Sequence, residues 1–214
     1  LRDASGGRIR VAGTPAFGLE LLPRAIATFR EDHPDAVFEV ETLHLDEIHQ
    51  ALLETRIDIA LAFDPAKRPG IHRTKLASAR YFVLAHDQSQ FKGKKTLTFD
   101  DLTDQPFIGL NSRGPLGQAL ADYLEAADIH PDVVAWTETY HVARALVAAG
   151  TGITIADEIT ARSTMGGDVV MLPLEPPLTF DISLMRVAEA SLSLGTRRFA
   201  KHLGNVVRDM VGKG

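Results

Sequence analysis

Short apolar runs alternate with amphipathic ones along the whole chain. Arg8 to Ala12 (RIRVA) alternates basic and apolar residues and runs into Gly13-Thr14-Pro15, the pattern of a strand that ends at a breaker. From Gly18 to Asp32, the residues Leu19, Leu22, Ile26 and Phe29 recur at helical spacing, which predicts a helix burying that face. Pro23 falls in its first turn, where proline is tolerated, and Pro34 closes the run. Val37 to Leu43 predicts a second strand, Asp46 to Thr55 a second helix capped by Asp46, and Ile57 to Phe63 a third strand. Strands alternating with helices predict a parallel α/β sheet.

Ile71 to Ala85 continues as extended chain ending in YFVLA, after which Gln88 to Thr98 turns polar and basic and marks the best boundary. The alternation then restarts. Phe107 to Leu110 predicts a strand, Leu116 to Ala127 a helix, Val133 to Thr137 a strand, Tyr140 to Ala149 a helix and Ile153 to Ala156 a strand. Val169 to Leu172 and Phe180 to Val187 read as further strands. Thr196 to Val211 places Phe199, Leu203, Val206, Val207 and Met210 on one helical stripe.

Composition narrows the function classes. With 214 residues, 45% of them hydrophobic and 24% charged, the chain is ordinary for a globular protein, so disorder is not expected. Ala145 to Ala156, the longest charge-free apolar stretch near the middle, is far shorter than the roughly 20 residues of a membrane-spanning helix. Cysteine is absent, which excludes disulfides, thiolate metal sites and cysteine nucleophiles, so redox chemistry says nothing of the compartment. A net charge of -5 is the wrong sign for a chain that neutralises bare DNA or RNA by itself.

The catalytic motifs that come nearest fail on spacing. Gly109 to Gly114 (GLNSRG) is close to a G-x-S-x-G nucleophile elbow but carries one residue too many before Ser112, which reads instead as a turn or cap beside Pro115. Gly150-Thr151-Gly152 lies between a helix and a strand, the reverse of a phosphate-binding loop, and reads as a helix stop. His44 and His49 lie five apart, so their rings would point about 140° away from each other on a helix and would not converge on a metal. Asp100-Asp101 and Asp157-Glu158 read as caps and first-turn charges, and Lys92 to Lys95 as a solvated connector.

In open α/β sheets, ligands bind beyond the carboxyl ends of the strands, where loops lead into helix N-termini. Here those loops hold Thr14 and Pro15 after the first strand, His44 and Leu45 after the second, and Phe63 and Asp64 after the third. In the second half they hold Ser112 and Arg113, then Thr139 and Tyr140. Hydroxyls, an imidazole, one anion and one cation among apolar walls suit a small polar organic molecule, with Arg113 pointing to a carboxylate such as an amino acid or an aromatic acid.

At these residues a resemblance becomes specific. Arg8 to Thr42, then Leu52 to Pro65 (LLETRIDIALAFDP), and Thr137 to Glu158 (TETYHVARALVAAGTGITIADE) resemble the effector-binding domain of LysR-type transcriptional regulators, over nearly the whole chain. That resemblance implies an α/β fold of two Rossmann-like subdomains joined by two crossover strands, similar to type 2 periplasmic binding proteins, with a small-molecule effector in the cleft. It implies subdomain I over 8–86 and 182–214, subdomain II over 87–181, and crossings near His86 and Ile182. Leu1 to Gly7 would be the remnant of a linker to an N-terminal DNA-binding domain. By position, Thr14 matches the family's effector-contacting hydroxyl, Leu45 the contact after the second strand, and Ser112, Arg113, Thr139 and Tyr140 the second wall.

The resemblance further implies a cytoplasmic regulatory module, not an enzyme, with no cofactor and no metal. It would form a homodimer or tetramer through the helices Gly18 to Asp32 and Leu116 to Ala127. Such a module works by population shift: a ligand bridging both subdomains favours one hinge angle, and only its differential affinity for the two states does work. Two rivals share the frame, a free-standing periplasmic solute-binding protein and an enzyme such as a dehydratase or deaminase. The second would need a converging acid/base pair, which the sequence does not supply.

Overall fold

A computed structural model of the chain describes residues 8–91, 93–111, 114–164 and 167–211. It divides into two compact units, Leu1–Ser78 with Asp181–Gly214 and Ala79–Phe180, so the chain passes between them inside its two long strands. These are β4 (Ile71–His86) and β10 (Thr179–Val187).

In the first unit β1 (Arg8–Gly13) is flanked by β2 (Val37–Thr42) and β3 (Ile59–Phe63), both parallel to it, as the βαβ pattern requires. The expectation of an all-parallel sheet fails at the next strand, since β10 runs antiparallel to β3, with Ile182 opposite Phe63. The returning strand enters the sheet from the other unit and not by a helical crossover, so its direction is not tied to that of its neighbours. Ile9, Val11, Ile59 and Leu61 on these strands are fully buried, as expected for a sheet covered on its faces.

The first helical stretch departs instructively from its heptad-like spacing. Its chain is already helical at Pro15, widens into a π-turn over Phe17–Leu21, and continues as α1 (Leu22–Asp32). The π-turn closes through Leu22 N–H to the Phe17 carbonyl and inserts one extra residue, rotating everything before it relative to α1. Leu19, expected on the buried face, is therefore 49% exposed, while Phe17, Leu21, Leu22, Ala25 and Phe29 are buried. Pro23, which has no N–H to give, sits just after this shift in the hydrogen-bond ladder.

The second helix, α2 (Leu45–Leu53), also begins earlier than expected. Its cap is His44, not Asp46: His44 has extended φ/ψ, its ring accepts from the Glu47 amide, and the Glu47 carboxylate accepts the His44 N–H at 2.8 Å. Asp46 lies inside the first turn and pairs with Arg68 at 2.8 Å. The closing helix, α6 (Leu194–Val211), buries Phe199, Leu203 and Val207 against α1, where Phe199 meets Phe29 edge-on at 5.2 Å.

In the second unit β8 (Thr154–Asp157) and β9 (Val169–Glu175) pair antiparallel with β4, and the short β5 (Leu97–Thr98) pairs parallel with β9. β6 (Pro106–Leu110) and β7 (Asp132–Thr137) form a parallel pair, joined to β8 by the Ile108 N–H on the Ile153 carbonyl at 2.8 Å. The helices α3 (Pro115–Ala126) and α4 (Tyr140–Ala148) follow β6 and β7. A one-turn helix, α5 (Glu158–Ala161), follows β8 and is capped by the Asp157 carboxylate, which accepts from the Thr160 amide at 2.9 Å. That cap is the role expected of Asp157.

Candidate functional site

Because β2, β1 and β3 are adjacent and parallel, their carboxyl ends lie along one edge of the first unit. The loops carrying Thr14–Pro15, His44–Leu45 and Phe63–Asp64 therefore lie side by side. Backbone bonds fix this: the Leu43 N–H reaches the Gly13 carbonyl at 3.1 Å, and the Thr14 carbonyl accepts from Phe17 and Gly18 at 2.9 and 3.0 Å. Close packing fixes it further. A Cβ on Gly18 would overlap the Thr42 hydroxyl, and the Phe17 ring sits 4.3 Å from that of Phe63. Phe63 is thereby a buried wall under the edge, while Pro15 and Leu45 are half-buried and His44 is exposed.

The Thr14 hydroxyl is the informative atom. It is buried and has no hydrogen-bond partner among the described residues, although a buried hydroxyl left so costs about 1–3 kcal/mol. Asp64 differs: its backbone takes a left-handed φ of 34°, and its carboxylate accepts the Asp181 N–H at 2.7 Å while its own N–H reaches the Asp181 carbonyl at 2.8 Å. Partial burial raises the Asp64 pKa, opposed by the Asp181 N–H and by Lys75 and Arg73. Asp181 is held on the other side by Lys75 at 2.7 Å and by the Ser78 hydroxyl at 2.9 Å.

The second unit builds its edge from β6 and β7. The Asn111 N–H donates to the Thr137 carbonyl at 2.7 Å, which brings the two strand ends together. Thr139 is the cap of α4, its hydroxyl accepting from the Val142 amide at 3.3 Å, and α3 starts at Gly114, which has no side chain to cap it. Two helix N-termini thus share this edge, a setting that favours negative charge. Ser112 and Arg113, expected here, lie outside the described residues.

Tyr140 sits deeper than its neighbours, at 7% exposure, with its hydroxyl buried and without a hydrogen-bond partner among the described residues. Burial first, and then Tyr81 and Asp157, push its pKa well above the ordinary range. Sequence reasoning missed the buried polar groups around it. Asp157 is fully buried, which raises its pKa against the Thr160 bonds, Glu158 takes Arg162 at 2.8 Å, and Arg144 donates to the Ser163 carbonyl at 2.7 Å. Only an acid pair directly after an apolar strand could have pointed to them. Also missed is the burial of His49, 3% exposed with neither ring nitrogen bonded among the described residues; burial, and then Arg68, lower its pKa.

Among the described residues no group of His, Asp and Glu is arranged to hold a metal ion, and no helix is long and apolar enough to cross a membrane. Two α/β units sharing two long strands, each with strand ends that lead through loops into helices, make a fold of the type 2 periplasmic-binding kind. The LysR substrate binding domain model matches residues 2–208, and the chain belongs to that family. The chain is 32% identical over 207 residues to the HTH-type transcriptional regulator DgcR of a Pseudoalteromonas species, covering 97% of this chain and 71% of that protein. Among solved structures it is similar to the regulatory domain of Synechocystis CcmR in complex with 2-PG, with TM-score 0.81 and 17% identity over 95% of this chain and 99% of that one. It is also similar to the effector binding domain of QuiR in complex with shikimate, with TM-score 0.78 and 18% identity over 95% and 98% of the two chains. The chain is the effector-binding domain of a LysR-type transcriptional regulator, and its relatives are regulators, not enzymes.

Proposed function

We propose that the domain senses a small polar carboxylate, of the amino-acid or aromatic-acid kind, held by the strand-end loops of both units. Thr14, Pro15, His44, Leu45, Phe63 and Asp64 supply one wall, and Ser112, Arg113, Thr139 and Tyr140 the other. The observation that carries this reading is the Thr14 hydroxyl, buried without a partner on the edge where the loops after β1, β2 and β3 meet. An effector oxygen or N–H would satisfy it. The N-termini of α3 and α4 and the Arg113 guanidinium suit the carboxylate, and that CcmR and QuiR carry 2-PG and shikimate on the same fold supports a small molecule. Occupancy biases the arrangement of the regulator only by binding one state more tightly than the other.

The same reading places the protein in the cytoplasm, with DNA contacted through a separate N-terminal domain. It pairs two copies through the faces of α1 and α3. Exposed apolar residues support that pairing: Leu19 before α1 and Val37 and Val40 on the edge strand β2, then Val134 and Trp136 on the edge strand β7. The test is a thermal-shift screen of the domain against small carboxylates, amino acids and aromatic acids, since a ligand bound to the native state raises the melting temperature by mass action. The reading expects a hit abolished by Arg113→Ala. A hit that survives Arg113→Ala unchanged, or none in these classes, overturns the carboxylate assignment.

A further inference from the structure

The charge of this chain is segregated. Ala79–Phe180 carries 7 Lys and Arg against 13 Asp and Glu, a net of -6, whereas the rest of the chain carries 16 against 15, a net of +1. Within the second unit α3 has no Lys or Arg at all. Its exposed side presents Asp122 and Glu125, continued by Asp128 and Asp132 beyond its end. Within the first unit α6 is the reverse, with Arg197, Arg198, Lys201 and Arg208 exposed against a single Asp209.

Spacing turns these residues into stripes. At 100° per residue, Arg197, Lys201 and Arg208 fall within about 40° of one another and run for about 16 Å along α6. Gln118, Asp122 and Glu125 form the matching stripe on α3. The cations are uncommitted: Arg197, Arg198 and Lys201 have no ion-pair partner among the described residues, and Arg208 reaches only Asn205, at 2.7 Å. The acids are little more engaged, Asp122 accepting from Gln118 at 2.6 Å and Asp128 meeting His130 at 3.0 Å. Elsewhere in the first unit Arg8, Arg10, Arg56, Arg68 and Lys75 are in ion pairs within their own unit, and the cations that are not, such as Arg24 and Lys67, do not line up along one helix as those of α6 do.

Two helices in different units of one chain, each carrying charge of essentially one sign and the two signs opposite, complement each other across two copies. We propose that the cationic stripe of α6 docks against the acidic stripe of α3 in a second copy of this chain. The inference rests on the pairing of copies proposed above and adds what selects its direction. α6 packs on α1, Thr28 meeting His202 at 2.8 Å, so its stripe borders the α1 face. In a two-fold pair the α6–α3 contact occurs twice, and an arrangement that puts α6 on α6 or α3 on α3 sets like charges together. Charges at an interface rim act mainly on encounter rate and on the rejection of wrong arrangements.

The test uses two charge-reversed variants of the domain, R197E/K201E/R208E on α6 and D122K/E125K on α3, followed by sedimentation velocity at low and high salt. All changes are at exposed positions, and circular dichroism verifies that both variants fold. The proposal expects wild type to associate, more weakly as salt rises, and each variant alone to associate on the order of tenfold more weakly. An equimolar mixture of the two variants restores association, because both contacts in the mixed pair are again of opposite sign. Salt-insensitive dimers in wild type and both variants overturn the charge inference alone and leave the pairing standing. A monomer under all conditions overturns the pairing and this inference with it. Salt-sensitive capture of duplex DNA by wild type, lost in the α6 variant and with no rescue on mixing, assigns the stripe to nucleic acid and overturns the proposal.

Discussion

Replacing Thr14 by Val separates the cost of an unsatisfied group from its use. The substitution keeps the branched shape and exchanges the hydroxyl for a methyl, and the Thr14 carbonyl still holds the amides of Phe17 and Gly18. Among the described residues the hydroxyl is buried with no partner, so in the unliganded protein its removal relieves a penalty whose lower bound is about 1 kcal/mol. For a chain of this length that raises the melting temperature by about 2–4 °C. In the liganded protein the same change deletes a hydrogen bond of about 0.5–1.5 kcal/mol, which weakens the effector by roughly two- to thirteenfold. Scanning calorimetry of the empty variant and titration calorimetry with the screened effector read the two halves. A variant that melts lower than wild type, or binds the effector equally well, refutes the assignment of this hydroxyl.

Other substitutions test the account at a distance from that edge. His49→Leu flattens the acid side of the stability profile. The buried imidazole has a pKa below its ordinary value of 6.5, so the unfolded chain takes up the proton first and wild-type stability falls as pH drops below that value. Urea titrations at about pH 7 and pH 5 detect the difference, and an equal loss in variant and wild type contradicts it. Gly152→Ala costs more stability than Gly109→Ala. The first Cβ meets the Pro106 carbonyl oxygen, which holds the Ile153 N–H at 2.8 Å and cannot give way, whereas the second meets the Trp136 ring at 2.6 Å, and that side chain is 64% exposed and able to move. Equal losses in thermal melts contradict this ranking, and emission from Trp136, the single tryptophan, reports the ring's displacement in Gly109→Ala.

Much of the architecture is readable in the apolar pattern because each strand and helix buries one side locally. The edge carrying Thr14, His44 and Asp64 follows from that pattern alone, since adjacent parallel strands must align their carboxyl ends. What escapes the pattern is decided by packing between elements. The π-turn over Phe17–Leu21 belongs with the tight contacts of Gly13 on Phe17 and Gly18 on Thr42, and it moves Leu19 to the exposed side of a stretch whose spacing looks regular. The cap of α2 falls on His44 because Glu47 closes the box from the other side, a reciprocal pairing that histidine does not signal. β5 and α5 are too short for periodicity to register.

The candidate site divides in the same way. Which loops carry it is legible, but the orphaned hydroxyl of Thr14 and the depth of Tyr140 are properties of atoms in three dimensions. Tyr140 opens a helix beside a polar Thr139, which in sequence reads as an exposed wall. In the fold Tyr140 is only 7% exposed and its hydroxyl is buried.

Amide chemical-shift mapping of the labelled domain with the screened effector reads out where the ligand binds. The perturbed amides are expected at Thr14, His44, Leu45 and Asp64 in one unit and at Thr139 and Tyr140 in the other. Shifts confined to the apolar groove of about 410 Å³ beside α3, lined by Leu120, Leu124, Ile129 and Trp136, would contradict that placement.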